Sequence, residues 1–237
     1  MLLRAEQLAA HLARGPLARL YTVAGDEALL AIEAQDAIRA AARAQGFAER
    51  EVLHADARFD WSRLQAAVLG GSLFSSRRMV EIRLPSGKPG VRGAAALQQQ
   101  AARDDDGVLA LVCLPKLDRA ARTSQWATAL ESAGVWIDVP RVERERLPEW
   151  AGARLARQGQ SAGRPALQLI ADRVEGNLLA AHQEIAKLGL LYDAGPLSFE
   201  QIRDGVFDVA RYEIYGLPQA MLAGDRARVL RLVEGLR

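Results

Sequence analysis

A single cysteine, Cys113, stands in this chain of 237 residues, inside an apolar run. One thiol excludes a disulfide framework and fits a reducing compartment. No apolar run reaches the length of roughly 18 residues that a membrane-spanning helix needs, so no span is expected. The opening MLLRAEQLAAHLARG is helix-like and charged throughout. It lacks an apolar stretch followed by a small-residue cleavage site, so no signal peptide is expected and the cytoplasm is the default location. The histidines His11, His54 and His182 lie far apart and form no metal-ligand spacing. Neither a G-x-S-x-G elbow nor a G-x-G-x-x-G fingerprint occurs, and there is no internal repeat. These absences leave no metal, cofactor or catalytic residue to expect. Lys and Arg number 31 against 29 Asp and Glu, a net charge of +2. A balance that close to neutral does not call for direct nucleic-acid contact, and no aromatic-plus-basic stripe marks a DNA face.

What is present is an ordinary globular composition, with half the residues hydrophobic and a quarter charged. Up to Pro140, short apolar runs alternate with helical patterns. Strands are expected at 20–24, 51–54, 78–84, 108–114 and 135–139. Helices are expected at 27–44, 61–70 (with Asp60 as N-cap), 94–102 and 119–132, and Ser86 to Gly93 reads as a loop. In the third strand Val80, Ile82 and Leu84 share one face, with Glu81 and Arg83 on the other. Strands alternating with helices point to a parallel sheet covered on both faces. After Pro140 the strand signals vanish. Helices are expected at 147–158, 165–174 and 177–191, with a capping box at Ser198 and Gln201 opening a fourth. A further pair follows: 212–223, and a helix capped by Asp225 whose Val229, Leu232, Val233 and Leu236 form an apolar stripe. The stripe stops at Arg237 with nothing in the chain to cover it, so sequence beyond Arg237 or a covering partner is expected. The domains read as 1–140, 141–208 and 209–237, the last incomplete.

A strand, a turn at Gly25 and a helix are the setting of a phosphate-binding loop, which needs G-x-x-x-x-G-K-[ST]. Counted from Gly25, the required Gly-Lys-Ser/Thr falls on Leu30, Ala31 and Ile32, with no cation or hydroxyl. Asp26 and Glu27 add negative charge where phosphates would sit. The third strand ends Arg83-Leu84-Pro85-Ser86, without the acidic pair that holds Mg²⁺. A structural turn is expected, not ATP hydrolysis. Cys113, without a His or Cys neighbour in sequence, reads as a small core residue. Asp104, Asp105 and Asp106 read as a solvated turn before a strand, with cation binding as the alternative.

Gly71-Ser72-Leu73-Phe74-Ser75-Ser76-Arg77-Arg78 joins a helix to a strand. Leu73 and Phe74 are adjacent, large and apolar between small polar residues. Connections of this kind run over the surface. An exposed Leu-Phe pair would fill an apolar pocket on a partner, whereas a buried pair would only tuck under the next strand.

Several segments in order resemble the bacterial DNA polymerase III delta family. They are Glu6-Gln7-Leu8, Leu20 to Glu27, Gln35-Asp36-Ala37, Ala44 to Phe47, SLFSSRRMVEIRLP from Ser72 to Pro85, Lys116-Leu117, Leu147 to Trp150, Glu175 to Leu179, and Glu184 to Leu188. The S-L-F-x-x-R-R and E-G-N-L-L…E-x-x-K-L blocks together are the specific part. The resemblance implies an α/β plus all-α architecture: an AAA+-like parallel α/β domain with a degenerate phosphate loop, a small helical lid and the start of a helical collar. It implies a clamp-loader subunit that binds the β sliding clamp and opens it for loading on primed DNA. Such a chain has no catalytic site of its own but works within a nucleotidyltransferase complex. The implied partners are the clamp, the δ′ and γ/τ loader subunits through lid and collar, and DNA indirectly. Carried over, Leu73 and Phe74 with Ser72 form the clamp wedge, and Arg77 and Arg78 lie at its rim. Gly71 stands where family members often have another apolar residue, which narrows the wedge. Two alternatives remain: a δ′-like scaffold, which normally has an S-R-C segment and zinc-binding cysteines absent here, and an atypical AAA+ ATPase.

Overall fold

A computed structural model describes residues 1–70, 77–206 and 216–235 of the chain. It divides into two compact units, Met1–Arg141 and Val142–Arg237.

In the first unit the elements run β1 (Leu2–Arg4), α1 (Leu8–Leu12), β2 (Leu20–Gly25), α2 (Ala28–Ala44), β3 (Glu49–His54) and α3 (Ser62–Leu69). They continue with β4 (Arg78–Arg83), α4 (Gly90–Ala102), β5 (Val108–Leu114), α5 (Arg119–Arg122), α6 (Gln125–Ala133) and β6 (Val135–Val139). The strands form a six-stranded sheet in the order β1-β6-β2-β5-β4-β3. Every pairing in it is parallel. Parallel strands need crossover helices, and those helices cover both faces. The central strand β5, VLALVCL, is accordingly buried along its whole length. One face packs Tyr21, Val23, Leu109, Leu111 and Ile137 against Leu8 of α1 and Ala34, Ile38 and Ala42 of α2. The other packs Val80, Ile82, Leu84, Val112 and Trp136 against α3, α4 and α6. The expected alternation along β4 therefore holds: Val80 and Ile82 face α3 and α4, while Met79 and Glu81 face α2.

Three local readings change in this unit. The helix-like opening begins as a strand, because β1 pairs in register with Trp136, Ile137 and Asp138 of β6. Three residues carry too little period to announce that ladder. The loop expected through Gly93 ends at Gly90, where α4 begins. Gly93 lies inside α4, where a Cβ would meet the Trp61 ring at 2.4 Å, so its role is close packing and not flexibility. The single helix expected at 119–132 is broken into α5 and α6. Thr123 Oγ1 donates to the Arg119 carbonyl and Ser124 Oγ to the Ala121 carbonyl, a competition for backbone groups that ends α5. Asp60 accepts from the Ser62 backbone N–H at 3.0 Å, one position off the expected cap.

The second unit comprises α7 (Leu147–Arg157), β7 (Gln160–Ala162), α8 (Arg164–Val174), α9 (Leu178–Leu191), β8 (Gly195–Leu197) and α10 (Phe199–Gly205). After these come α11 (Gly216–Leu222) and α12 (Arg226–Gly235). Its core gathers Leu155, Ile170, Val174, Ile185, Leu188 and Ile202. The capping box is present, with Ser198 and Gln201 exchanging backbone-to-side-chain hydrogen bonds of 2.7 and 3.2 Å. The Asn177 side chain caps α9 by accepting from Ala180. The helices are joined by a short parallel ladder, β7 with β8, that hydrophobic periodicity did not show. Its organiser is the buried Gln160, whose Nε2 donates to the carbonyls of Leu188 and Tyr192. Among the described residues, no helix is long and apolar enough to cross a membrane.

Candidate functional site

An all-parallel sheet has two unlike edges. At the carboxyl edge strands run out into helix N-termini, the usual place for ligands in such folds. At the amino edge helices return into strands. The candidate features fall one on each edge, separated by the length of a six-residue strand, roughly 20 Å.

At the carboxyl edge, Gly25 is glycine for a reason of packing. A Cβ there would lie 1.9 Å from the Val139 carbonyl oxygen, because β2 and β6 run side by side. Asp26 Oδ1 accepts from the Lys116 backbone N–H at 3.0 Å, tying this turn to the end of β5. Glu27 precedes α2, and its carboxyl is raised above its ordinary pKa by burial, against the Leu29 backbone N–H and Arg141. The amide end of α2, which would receive a phosphate, thus already faces a carboxyl of the chain itself. Leu30 and Ala31 pack on the α2-side core and Ile32 is exposed. Nothing at those three positions reaches toward a triphosphate as Lys and Ser or Thr would.

At the amino edge, Gly71, Ser72, Leu73 and Phe74 lie outside the described residues. Both anchors of their connection are described. On the helix side, the Gly70 N–H closes α3 by donating to the Ala66 carbonyl at 2.8 Å. Leu69, just before it, is 69% exposed, an apolar side chain already facing outward where the connection leaves. On the strand side, Arg78 is half-buried, and its Nη2 reaches back to the Val68 carbonyl at 2.9 Å. That one bond ties the beginning of β4 to the end of α3. Arg77 is exposed; its Nη1 donates to the Gln45 carbonyl at 3.0 Å, and its guanidinium lies 5.6 Å from the Phe47 ring centroid. Gln45 also bonds Gly15 and Leu17, which fixes the neighbouring α2-to-β3 turn. Arg77 and Arg78 therefore anchor the connection. Leu69, Gln45 and Phe47 were missed as members of this edge. Only the shared topology of αβ connections brings them together.

Other sequence candidates are accounted for by packing. Cys113 is buried, and burial together with the Glu81 carboxylate pushes its thiol up to about 12. Tyr21 lies beside His11, with the rings 5.9 Å apart edge to face. Asp105 accepts from the Gly107 N–H and pairs with Arg103, while Asp104 pairs with Arg19. These contacts make 104–107 the turn into β5. Among the described residues, no group of three His, Cys, Asp or Glu side chains is placed to hold a metal ion.

The charged centre of the first unit was not visible in the sequence. Glu81 is fully buried, and Arg39 grips it bidentately with both bonds at 2.9 Å. Arg83 Nε adds a bond of 2.6 Å and Arg50 an ion pair at 3.2 Å. Gln35 and Asp36 brace Arg39 in turn, at 2.9 and 2.6 Å. Burial opposes the Glu81 charge, but the bonds from Arg39 and Arg83 outweigh it and hold the carboxyl below its ordinary pKa.

Comparison with known proteins places this architecture. Residues 21–139 match the family model described as DNA polymerase III, delta subunit. The chain is 32% identical over 232 residues to DNA polymerase III subunit delta of Escherichia coli, covering 98% of this chain and 67% of that protein. It is 29% identical over 235 residues to the subunit of the same name from Haemophilus influenzae, covering 98% and 68%. The chain thus spans about two thirds of the length of these relatives. Among solved structures, the Bacillus subtilis DNA clamp loader delta protein superposes with a TM-score of 0.64 at 17% identity, over 98% of this chain and 71% of that one. The fold is therefore the one seen in that clamp loader delta protein, with the parallel α/β unit and the helical unit that the resemblance implied, and the chain belongs to the DNA polymerase III delta subunit family.

Proposed function

We propose that this chain acts as the clamp-loader subunit that grips the β sliding clamp and opens the ring for loading on primed DNA. The carrying observation is the α3-to-β4 connection. It holds an adjacent Leu73 and Phe74 and follows an outward-facing Leu69; at its strand end Arg78 bonds back to Val68 of α3 and Arg77 bonds to Gln45. Two adjacent large apolar side chains on a connection between described anchors suit an apolar pocket on a partner. Ser72 and Gly71 lead into the pair, and Gly71 leaves it without a third apolar anchor. Arg77 and Arg78 frame it.

A closed ring opens only if a ligand binds the open form better than the closed one. In this reading Leu73 and Phe74 dock on one clamp protomer and the first unit favours the open-interface geometry. The chain spends no ATP of its own, since Glu27 faces the helix end and Leu30, Ala31 and Ile32 replace the phosphate-gripping residues. Nucleotide in the partner loader subunits, δ′ and γ/τ, would control access to the connection. Residues 1–140 serve as the clamp-binding domain, 141–208 as the lid and 209–237 as the start of the collar that meets those subunits. DNA is reached through the assembly, in the cytoplasm.

Binding to purified sliding clamp, measured for the native chain and for Leu73→Ala with Phe74→Ala, tests this directly. Two central apolar anchors predict a loss of about a hundredfold or more, with the far-ultraviolet circular dichroism unchanged. Undiminished binding by the double variant rejects the wedge. Unfolding of the variant shows instead that the pair belongs to the core.

A further inference from the structure

Among the described residues, the apolar core cluster of the second unit draws on residues from Ala151 to Val206, and the buried Ala220 of α11 and Leu232 of α12 lie outside it. Those two helices expose Met221, Leu222, Leu230 and Val233. Of the expected stripe, Leu232 is buried, Val229 is half-buried, and Leu236 lies outside the described residues.

Charge makes the connection that the core does not. Arg144, in the turn before α7, pairs with Asp172 at 3.0 Å and Glu175 at 3.1 Å at the end of α8. It also approaches Asp225, the cap of α12, at 3.8 Å. From α12, Arg228 pairs with Glu175 at 2.5 Å and Arg231 with Asp172 at 3.7 Å. Three arginines thus answer three carboxylates, with side chains 14% to 37% exposed.

We propose that α11 and α12 dock on the second unit through an ionic latch, in which Arg144, Asp172 and Glu175 grip Asp225, Arg228 and Arg231. Charge, more than core packing, sets whether the pair is docked. Arg144 is the hub, because it holds both α8 carboxylates in place for the α12 arginines. Partly exposed ion pairs contribute about 1 kcal/mol or less each, so a handful of them makes a catch that opens reversibly. The catch is also imperfect: Arg228 Nε is buried without a hydrogen-bond partner, a cost recovered on opening. A strongly charged partner surface would compete for the same groups, leaving the Ala151–Val206 core intact.

Amide hydrogen exchange on the full chain tests the latch with Arg144→Met, Arg228→Met and, as a packing control, Leu232→Ala. An undocked helix of ten residues does not persist in water. Exchange in α12 is expected to speed up roughly tenfold in Arg144→Met, which loses three ion pairs, and by at most about fivefold in Arg228→Met, which loses one, with α8 and α9 unchanged and Leu232→Ala the weakest of the three. The idea is overturned if α12 exchange is unmoved in both charge variants. It is equally overturned if α8 and α9 speed up alongside it, or if Leu232→Ala has the largest effect.

Discussion

Each unit contains an arginine cluster, and the two clusters are built to opposite specifications. In the sheet unit, one fully buried carboxylate, Glu81, is surrounded by Arg39, Arg50 and Arg83. It sits on the α2-covered face between β3 and β5, level with Val52 and Leu111, so the carboxylate itself is closed to water even though Arg50 and Arg83 reach it from side chains 42% and 39% exposed. In the helical unit, three carboxylates and three arginines share partly exposed positions where water does replace one. The first arrangement is costly to disturb because a buried charge left alone has no compensation. The second is cheap to disturb. The same residue types therefore give a rivet in one place and a catch in the other.

The largest contrast should come from removing the rivet. Glu81→Ala leaves the Arg39 guanidinium, itself partly buried, without its principal acceptor, and is expected to lower unfolding stability by about 3–5 kcal/mol in urea melts. A loss below about 1 kcal/mol would show that the cluster is solvated in the folded protein.

Acid should separate the clusters next. The folded pKa of Glu81 is depressed below the ordinary 4.5. Its stabilisation is therefore fully present above that value and is lost as pH falls through the lower folded value. The urea-midpoint gap between the native chain and Glu81→Gln should stay constant from about pH 8 to about pH 6 and narrow steadily below about pH 4.5. A gap that widens on acidification would mean the carboxyl is protonated in the native state.

The smallest effect is expected in the helical unit. Arg144→Met should cost less than about 1 kcal/mol of global stability in the same melts, even while α12 exchange quickens. A global loss as large as that of Glu81→Ala would erase the distinction.

The contrast also explains what could be read in advance. Both layers of the sheet were legible, because β5 is a continuous apolar run and β4 alternates. The departure from a phosphate-gripping sequence is a matter of composition at fixed spacing, since Ala31 and Ile32 stand where that pattern has Lys and a hydroxyl. Glu81 was not. In the strand pattern it looks like an outward-facing charge, and only the crossing of α2 brings Arg39 over it. β1 and β7 were hidden for a related reason: ladders of three residues owe their existence to partners far along the chain. Resemblance pieces such as Gln35-Asp36 and Glu175-Gly176-Asn177 proved to brace Arg39, supply the catch and cap α9.

One consequence follows from the anchors of the α3-to-β4 connection. Arg78 holds Val68, and Arg77 holds Gln45, so both grips are made by residues outside 71–76. The start of β4 is therefore fastened to the end of α3 and to the α2-to-β3 turn by donors and acceptors that a change of side chain within 71–76 does not remove, so contact chemistry in that segment and the fastening of the strand are separate properties of the sequence.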